Sequence, residues 1–198
     1  MIETIINDVS ENQDRILSNL DCESIVVYSF LKSEYEKGSI LDNLFFQFVF
    51  RSFYGMDDAG LSNEMKKGYF RLLERKQTNL ETILSELYEV KNIKKQNTIQ
   101  FSFATKLMHT IDNNKPIYSS EIGSRTNNKP KQTGGKTAKI QSCIEVYNSL
   151  EILYEDLKKD EKIKSAISAF RFKFKVDEEK MSDTKVLDFI LWSSEKLR

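Results

Sequence analysis

Apolar residues recur at steps of three and four along nearly the whole chain, and very little interrupts them. Its 198 residues include only two prolines and seven glycines. A many-turned β-fold needs such residues as punctuation, so the pattern favours long helices joined by short loops. A chain of this length buries a sufficient core without disulfides. The expectation is one all-α helical domain over residues 1–198.

The periodicity places the helices. Ile2, Ile5, Ile6, Val9, Ile16, Leu17 and Leu20 share one face, and the capping-box spacing of Ser10 and Gln13 predicts a break into two helices there. Residues 24–36 read as a further helix, although the β-branched run Ile25-Val26-Val27 also suits a short strand. Residues 40–54 are apolar nearly all round, which predicts a buried central helix. Ser62 is a candidate cap for a helix to about Arg75, and Thr78-Asn79-Leu80-Glu81 reads as a capping box for the next. A basic connector, Lys91 to Asn97, leads to a helix ending near Asp112. Residues 113–137 are polar and contain both prolines, Pro116 and Pro130, and Gly134 and Gly135; they read as one irregular basic loop. Helical period resumes from Ile140 to Leu157 and again at Ile163, Ile167 and Phe170. The strictly alternating Phe170–Val176 could be a strand, but it lacks a partner and reads as a helix running into a turn. Ser182 caps a last helix carrying Val186, Leu187, Ile190, Leu191 and Trp192.

Several functions are disfavoured. Glu3 stands where a secretory leader would be positive, and no uninterrupted apolar stretch approaches the roughly 18 residues of a membrane helix. No membrane association and a cytoplasmic location are expected. Cys22 and Cys143 lack metal-ligand spacing and read as reduced, half-buried thiols. His109 is the only histidine, so a His-based metal cluster and a Ser-His-Asp triad have little support, and a structural or surface role is expected for it. Gly134-Gly135-Lys136-Thr137 imitates the tail of a phosphate-binding loop, but Pro130 occupies the position of the first glycine and no strand precedes it. No metal and no small-molecule cofactor are expected.

Net charge is zero, but unevenly distributed. Residues 91–139 hold ten Lys/Arg and only two acids, Asp112 and Glu121, so this segment carries +8 and the rest of the chain −8. Such a concentration suits either an anion-binding face or a solvated lysine-rich loop.

The most informative stretch is Gln100 to Ile122, where a lysine follows small residues and a Pro-Ile-Tyr segment follows the helix. It resembles the helix-hairpin-helix DNA glycosylase superfamily, in particular the bacterial proteins related to eight-oxoguanine glycosylase. Ser102-Phe103-Ala104-Thr105-Lys106 falls on that family's Gly-Val-Gly-Thr-Lys hairpin, and Pro116-Ile117-Tyr118-Ser119 on its Pro-Ile-Tyr-Asp. Lys185-Val186-Leu187-Asp188-Phe189-Ile190-Leu191-Trp192 is similar to the family's closing helix, and Phe53 to Leu61 also matches.

The resemblance implies a two-lobed helical domain that flips a damaged or modified base out of double-stranded DNA into a groove between the lobes. Lys106 falls at the nucleophile, which attacks the sugar as an amine and forms a Schiff base. Ser119 falls at the catalytic Asp, and Glu121 is the nearest acid able to substitute. Ser102, Ala104 and Thr105 fall in the phosphate-gripping hairpin. Lys91, Lys94, Lys95, Lys129, Lys131 and Lys136 would neutralise phosphates, while Phe101, Phe103 and Tyr118 would stack on the flipped base. Such an enzyme would serve DNA repair or defence against phage with modified DNA. Ser119 departs from the pattern, because a hydroxyl supplies no negative charge; that loss is worth on the order of a thousandfold in rate. The alternatives are a catalytically impaired relative that binds DNA or a protein partner through the same face, and a helical interaction protein unrelated to DNA.

Overall fold

A computed structural model describes residues 2–197. Among these residues there are eleven α-helices and no strand. They are α1 (Ile2–Glu11), α2 (Gln13–Ser18), α3 (Cys22–Glu36), α4 (Leu44–Phe53), α5 (Asn63–Glu74), α6 (Leu80–Glu89), α7 (Phe101–Ile111), α8 (Ser120–Arg125), α9 (Lys136–Lys159), α10 (Glu161–Phe174) and α11 (Asp183–Lys196). No helix is long and apolar enough to cross a membrane.

Short polar side chains set where helices begin, because each can accept from an N–H that has no partner inside the helix. Ser62 accepts from the amide of Met65, Asn79 from Thr82, Asp160 from Lys162 and Ile163, and Ser182 from Lys185. Each such cap stabilises its helix by about 1 kcal/mol. Two of these starts differ from the sequence expectation. Asn79, not Thr78, caps α6. The break between α1 and α2 falls at Asn12 rather than at a Ser10 box, and Asn12 donates back to the carbonyl of Asp8 at 3.1 Å.

The helices pack in two sets. The first and last segments of the chain come together: α1 packs on α10, α11 and α9, α2 on α11, and α8 also on α11. The middle segment forms the other set, with α3 on α4, and α5, α6 and α7 against one another. Helix α9 joins the two by packing on α6. One cluster of buried side chains runs through both, from Ile5 to Leu191.

The helix expected over residues 24–36 is present as α3, and the alternative strand at Ile25-Val26-Val27 is not formed. Two expectations are corrected. Helix α4 is not central: Phe46 and Phe50 are fully buried, but Leu44 is 74%, Phe45 64% and Phe48 58% exposed. The helix covers the core with one face, where Phe50 meets Tyr69 and Phe70, and leaves the other to solvent. Residues 113–137 are not one irregular loop, since Ser119 nucleates α8 by accepting from the amide of Ile122.

His109 has the structural role. It is 1% exposed, Nδ1–H donates to the Lys115 carbonyl at 2.7 Å, and Nε2 accepts from the Tyr28 hydroxyl at 3.1 Å. Burial, aided by the nearby Lys185 ammonium, pushes its pKa down from 6.5 to about 4. Between those values the unfolded chain binds a proton that the folded one refuses, so stability falls as pH drops from 6.5 towards 4. Urea unfolding at pH 7 and pH 5 should show a loss of about 2 kcal/mol at the lower pH. His109→Gln should remove most of that difference.

Candidate active site

A cleft of about 710 Å³ opens where the two helix sets meet. Helix α7 supplies Ser102 and Lys106, the end of α4 supplies Phe53 and Tyr54, and the segment into α8 supplies Tyr118 to Ile122. Helix α11 forms the facing wall with Lys185, Asp188, Trp192 and Lys196. Spacings of three, four and four put these side chains on one side of α11, so a single helix delivers an ion pair and an aromatic ring to the same wall.

Lys106 reaches the cleft from the second turn of α7. Its ammonium donates to the Tyr54 carbonyl at 3.2 Å and lies over the rings of Phe103, at 4.6 Å, and Tyr54, at 5.5 Å. Desolvation pulls its pKa down from 10.5 to about 8; Lys185 adds to that shift, while Asp188 and Glu121 oppose it. A useful fraction of the amine is therefore unprotonated near neutral pH, as a nitrogen nucleophile requires. Lys185 differs from it: the residue is 2% exposed, Nζ is bonded to Asp188 Oδ2 at 2.7 Å, and the rings of Phe189 and Tyr28 lie 4.2 and 4.7 Å away.

The residues predicted from sequence separate here. Lys106, Ser102, Tyr118, Ser119 and Glu121 all line the cleft. Ser119 serves as the N-cap of α8, and Glu121 is exposed, its carboxylate held below the usual range by the first-turn backbone N–H and the hydroxyls of Ser119 and Ser120. The hairpin expected at Ser102–Ala104 is absent, because both residues are inside α7. The tight turn lies at Asn92–Gln96 instead, where Asn92 Oδ1 accepts from the amides of Lys94 and Gln96 at 2.9 and 3.0 Å. Those N–H groups are thus spent within the turn.

Ala104 and Thr105 are fully buried and cannot reach DNA. Thr105 is instead a brace within the protein. Its Oγ1 accepts from the Tyr118 amide at 3.0 Å, which fixes the Pro-Ile-Tyr segment against the helix that carries Lys106. Phe101 and Phe103 are core residues at 5% and 7% exposure, so neither is a base-stacking platform. Phe101 packs on Tyr118 with centroids 4.3 Å apart. A glycine is required behind that ring, since a Cβ on Gly123 would stand 2.3 Å from the Tyr118 oxygen. The aromatic residues that line the cleft are Phe53, Tyr54, Tyr118, Tyr154, Phe189 and Trp192, and the ring most open to solvent is Trp192, 41% exposed with Lys196 Nζ 3.5 Å from its ring centroid.

Lys91, Lys94, Lys95, Lys129 and Lys131 are exposed. Lys136 is committed to Glu89 at 2.6 Å and lies over Tyr88, which brings the start of α9 to the end of α6 where the Lys91–Asn97 connector begins. Among the described residues no cluster of His, Cys, Asp and Glu could hold a metal ion. Cys143 is buried and Cys22 exposed.

Sequence reasoning assigned no role to Lys185, Asp188 or Trp192. The signals were their shared helical face and the segment's similarity to the family's closing helix, neither of which singles out these side chains. Comparison with known proteins finds no matching protein family, no similar curated protein and no similar solved structure.

Proposed function

We propose that the chain is a DNA glycosylase-like protein that acts on a damaged or modified base through the Lys106 amine. The observation that carries this reading is a partly desolvated lysine, with its pKa lowered to about 8, directed into a cleft large enough for a nucleobase. The two helix sets play the part of the two lobes, and the cleft between them that of the base-binding groove. The exposed Lys91, Lys94, Lys95, Lys129 and Lys131 supply the cationic groups for duplex phosphates.

The chemistry follows from an amine and an anomeric carbon. Nζ of Lys106 forms a bond to C1′ of the flipped nucleotide, and the C1′–N bond breaks with its electron pair leaving on the base. The base takes up the proton that Nζ sheds. A second N–H proton passes to O4′ as the sugar ring opens, giving an imine that water hydrolyses to leave the abasic site and the free lysine.

The second reading, an impaired relative that only binds DNA, is favoured by Ser119, whose hydroxyl caps α8 and supplies no charge. Base release separates the two. With a panel of duplexes each carrying one modified base, the active reading expects release from at least one duplex and a loss of about a thousandfold or more in Lys106→Ala. Duplex binding that weakens steeply with salt, with no base released from any duplex, would favour the second reading.

A further inference from the structure

Three carboxylates line the cleft, from Glu121, Asp188 and Glu195, and they are not equivalent. Glu195 Oε1 is bonded at 3.1 Å to Arg125, whose side chain is 3% exposed, so that carboxylate is engaged in joining α8 to α11. Glu121 is folded onto the first turn of its own helix, where it offsets the unsatisfied N–H groups. Asp188 has neither duty. Its Oδ2 is bonded to Lys185 at 2.7 Å, and its side chain is 18% exposed and borders the cleft.

The surroundings of Lys185 explain why this pair holds its position. The Lys185 side chain is 3% exposed and its ammonium lies over the Tyr28 and Phe189 rings, so its charge has little water to retreat to. A buried cation of this kind holds its partner carboxylate in one orientation. The pair stands on α11 and lines the same cleft as Lys106 of α7.

We propose that Asp188, held by Lys185, supplies from α11 the carboxylate that the Lys106 site lacks at Ser119. This rests on the glycosylase reading above. As the C1′–N bond breaks, positive charge builds on the sugar's C1′ and O4′, and an ionised carboxylate on the facing wall stabilises it without itself forming a bond. The same anion acts on Lys106, where it is the largest influence favouring the ammonium and opposes burial and Lys185. The other charged groups facing the cleft are Glu121, Glu195 and Lys196.

The test uses two duplexes, one with a preformed abasic site and one with a modified base that the wild-type protein releases. The variants are Asp188→Asn and, because a lone buried Lys185 charge endangers folding, the neutral pair Lys185→Gln/Asp188→Asn. The abasic duplex has no C1′–N bond left to break, so borohydride trapping through Lys106 should persist in both variants. In Asp188→Asn, with Lys185 still charged, the midpoint of its pH profile should move down. Base release should fall by about a hundredfold or more in both. Wild-type base release by Asp188→Asn, or a loss confined to Glu121→Gln, would overturn the assignment of Asp188 while leaving Lys106 as nucleophile. Absence of any Lys106-dependent adduct in the wild-type protein would overturn the glycosylase reading itself, and this inference with it.

Discussion

Lys106→Met is expected to stabilise the folded protein by about 2 kcal/mol at pH 7, while removing the amine. Burial lowers the folded-state pKa of Lys106 to about 8 from an ordinary 10.5. Below pH 8 both folded and unfolded chains carry the proton, and the folded one bears the full cost of holding a charge away from water. Each pKa unit is worth about 1.4 kcal/mol, and loss of the Tyr54 carbonyl contact and the ring contacts offsets part of the gain. Between pH 8 and 10.5 the folded state releases its proton first, so the penalty fades and the advantage of the Lys106→Met variant should shrink with rising pH. A lysine that costs stability and lines a cleft is what the proposed nucleophile requires. Urea unfolding of both proteins at pH 7 and pH 10 measures this. Equal stability at both pH values would mean that Lys106 is an ordinary solvated lysine.

Arg125→Ala should cost about 3 kcal/mol, because it breaks a buried, multiply bonded charge cluster. The side chain is 3% exposed and its guanidinium joins α8 to two other helices: Nη2 meets Asp8 Oδ2 of α1 at 2.6 Å, and Nη1 meets Ser194 Oγ and Glu195 Oε1 of α11 at 2.7 and 3.1 Å. Because Arg125 itself closes α8, the cluster ties the segment that follows Tyr118 to the set formed by the two ends of the chain. Removing it takes the Arg125 cation away from two partly buried carboxylates, those of Asp8 and Glu195. Arg125→Lys should recover only part of the loss, since a single ammonium cannot reproduce a planar fork with several donors. Chemical unfolding of the three proteins measures both effects, and a loss below about 0.5 kcal/mol for alanine would assign the cluster to the solvent-screened class.

The helices were legible because their information is local. Ser62 and Ser182 cap the helices that their positions predicted, and the apolar face of α6 is the one that Leu80, Ile83, Leu84 and Leu87 spell out. What failed depends on the other side of a contact. Leu44, Phe45 and Phe48 look like core residues until the helix proves to have only one covered face. The Asn92–Gln96 turn was hidden because one asparagine side chain, rather than a glycine pair, closes it. The cleft was half legible. Lys106, Tyr118, Ser119 and Glu121 lie close enough along the chain for a motif to gather them. Lys185 and Asp188 come from more than sixty residues away, and only packing of the chain's end against its middle brings them to the same wall.

Borohydride trapping on a duplex containing an abasic site, followed by peptide mapping of the adduct, decides whether Lys106 is a nucleophile. The expected product is a covalent protein–DNA species that forms more readily as pH rises towards 8, maps to Lys106 and disappears in Lys106→Ala. An adduct mapping to an exposed lysine such as Lys94 or Lys131, or no adduct with a protein that binds the duplex, would contradict that role.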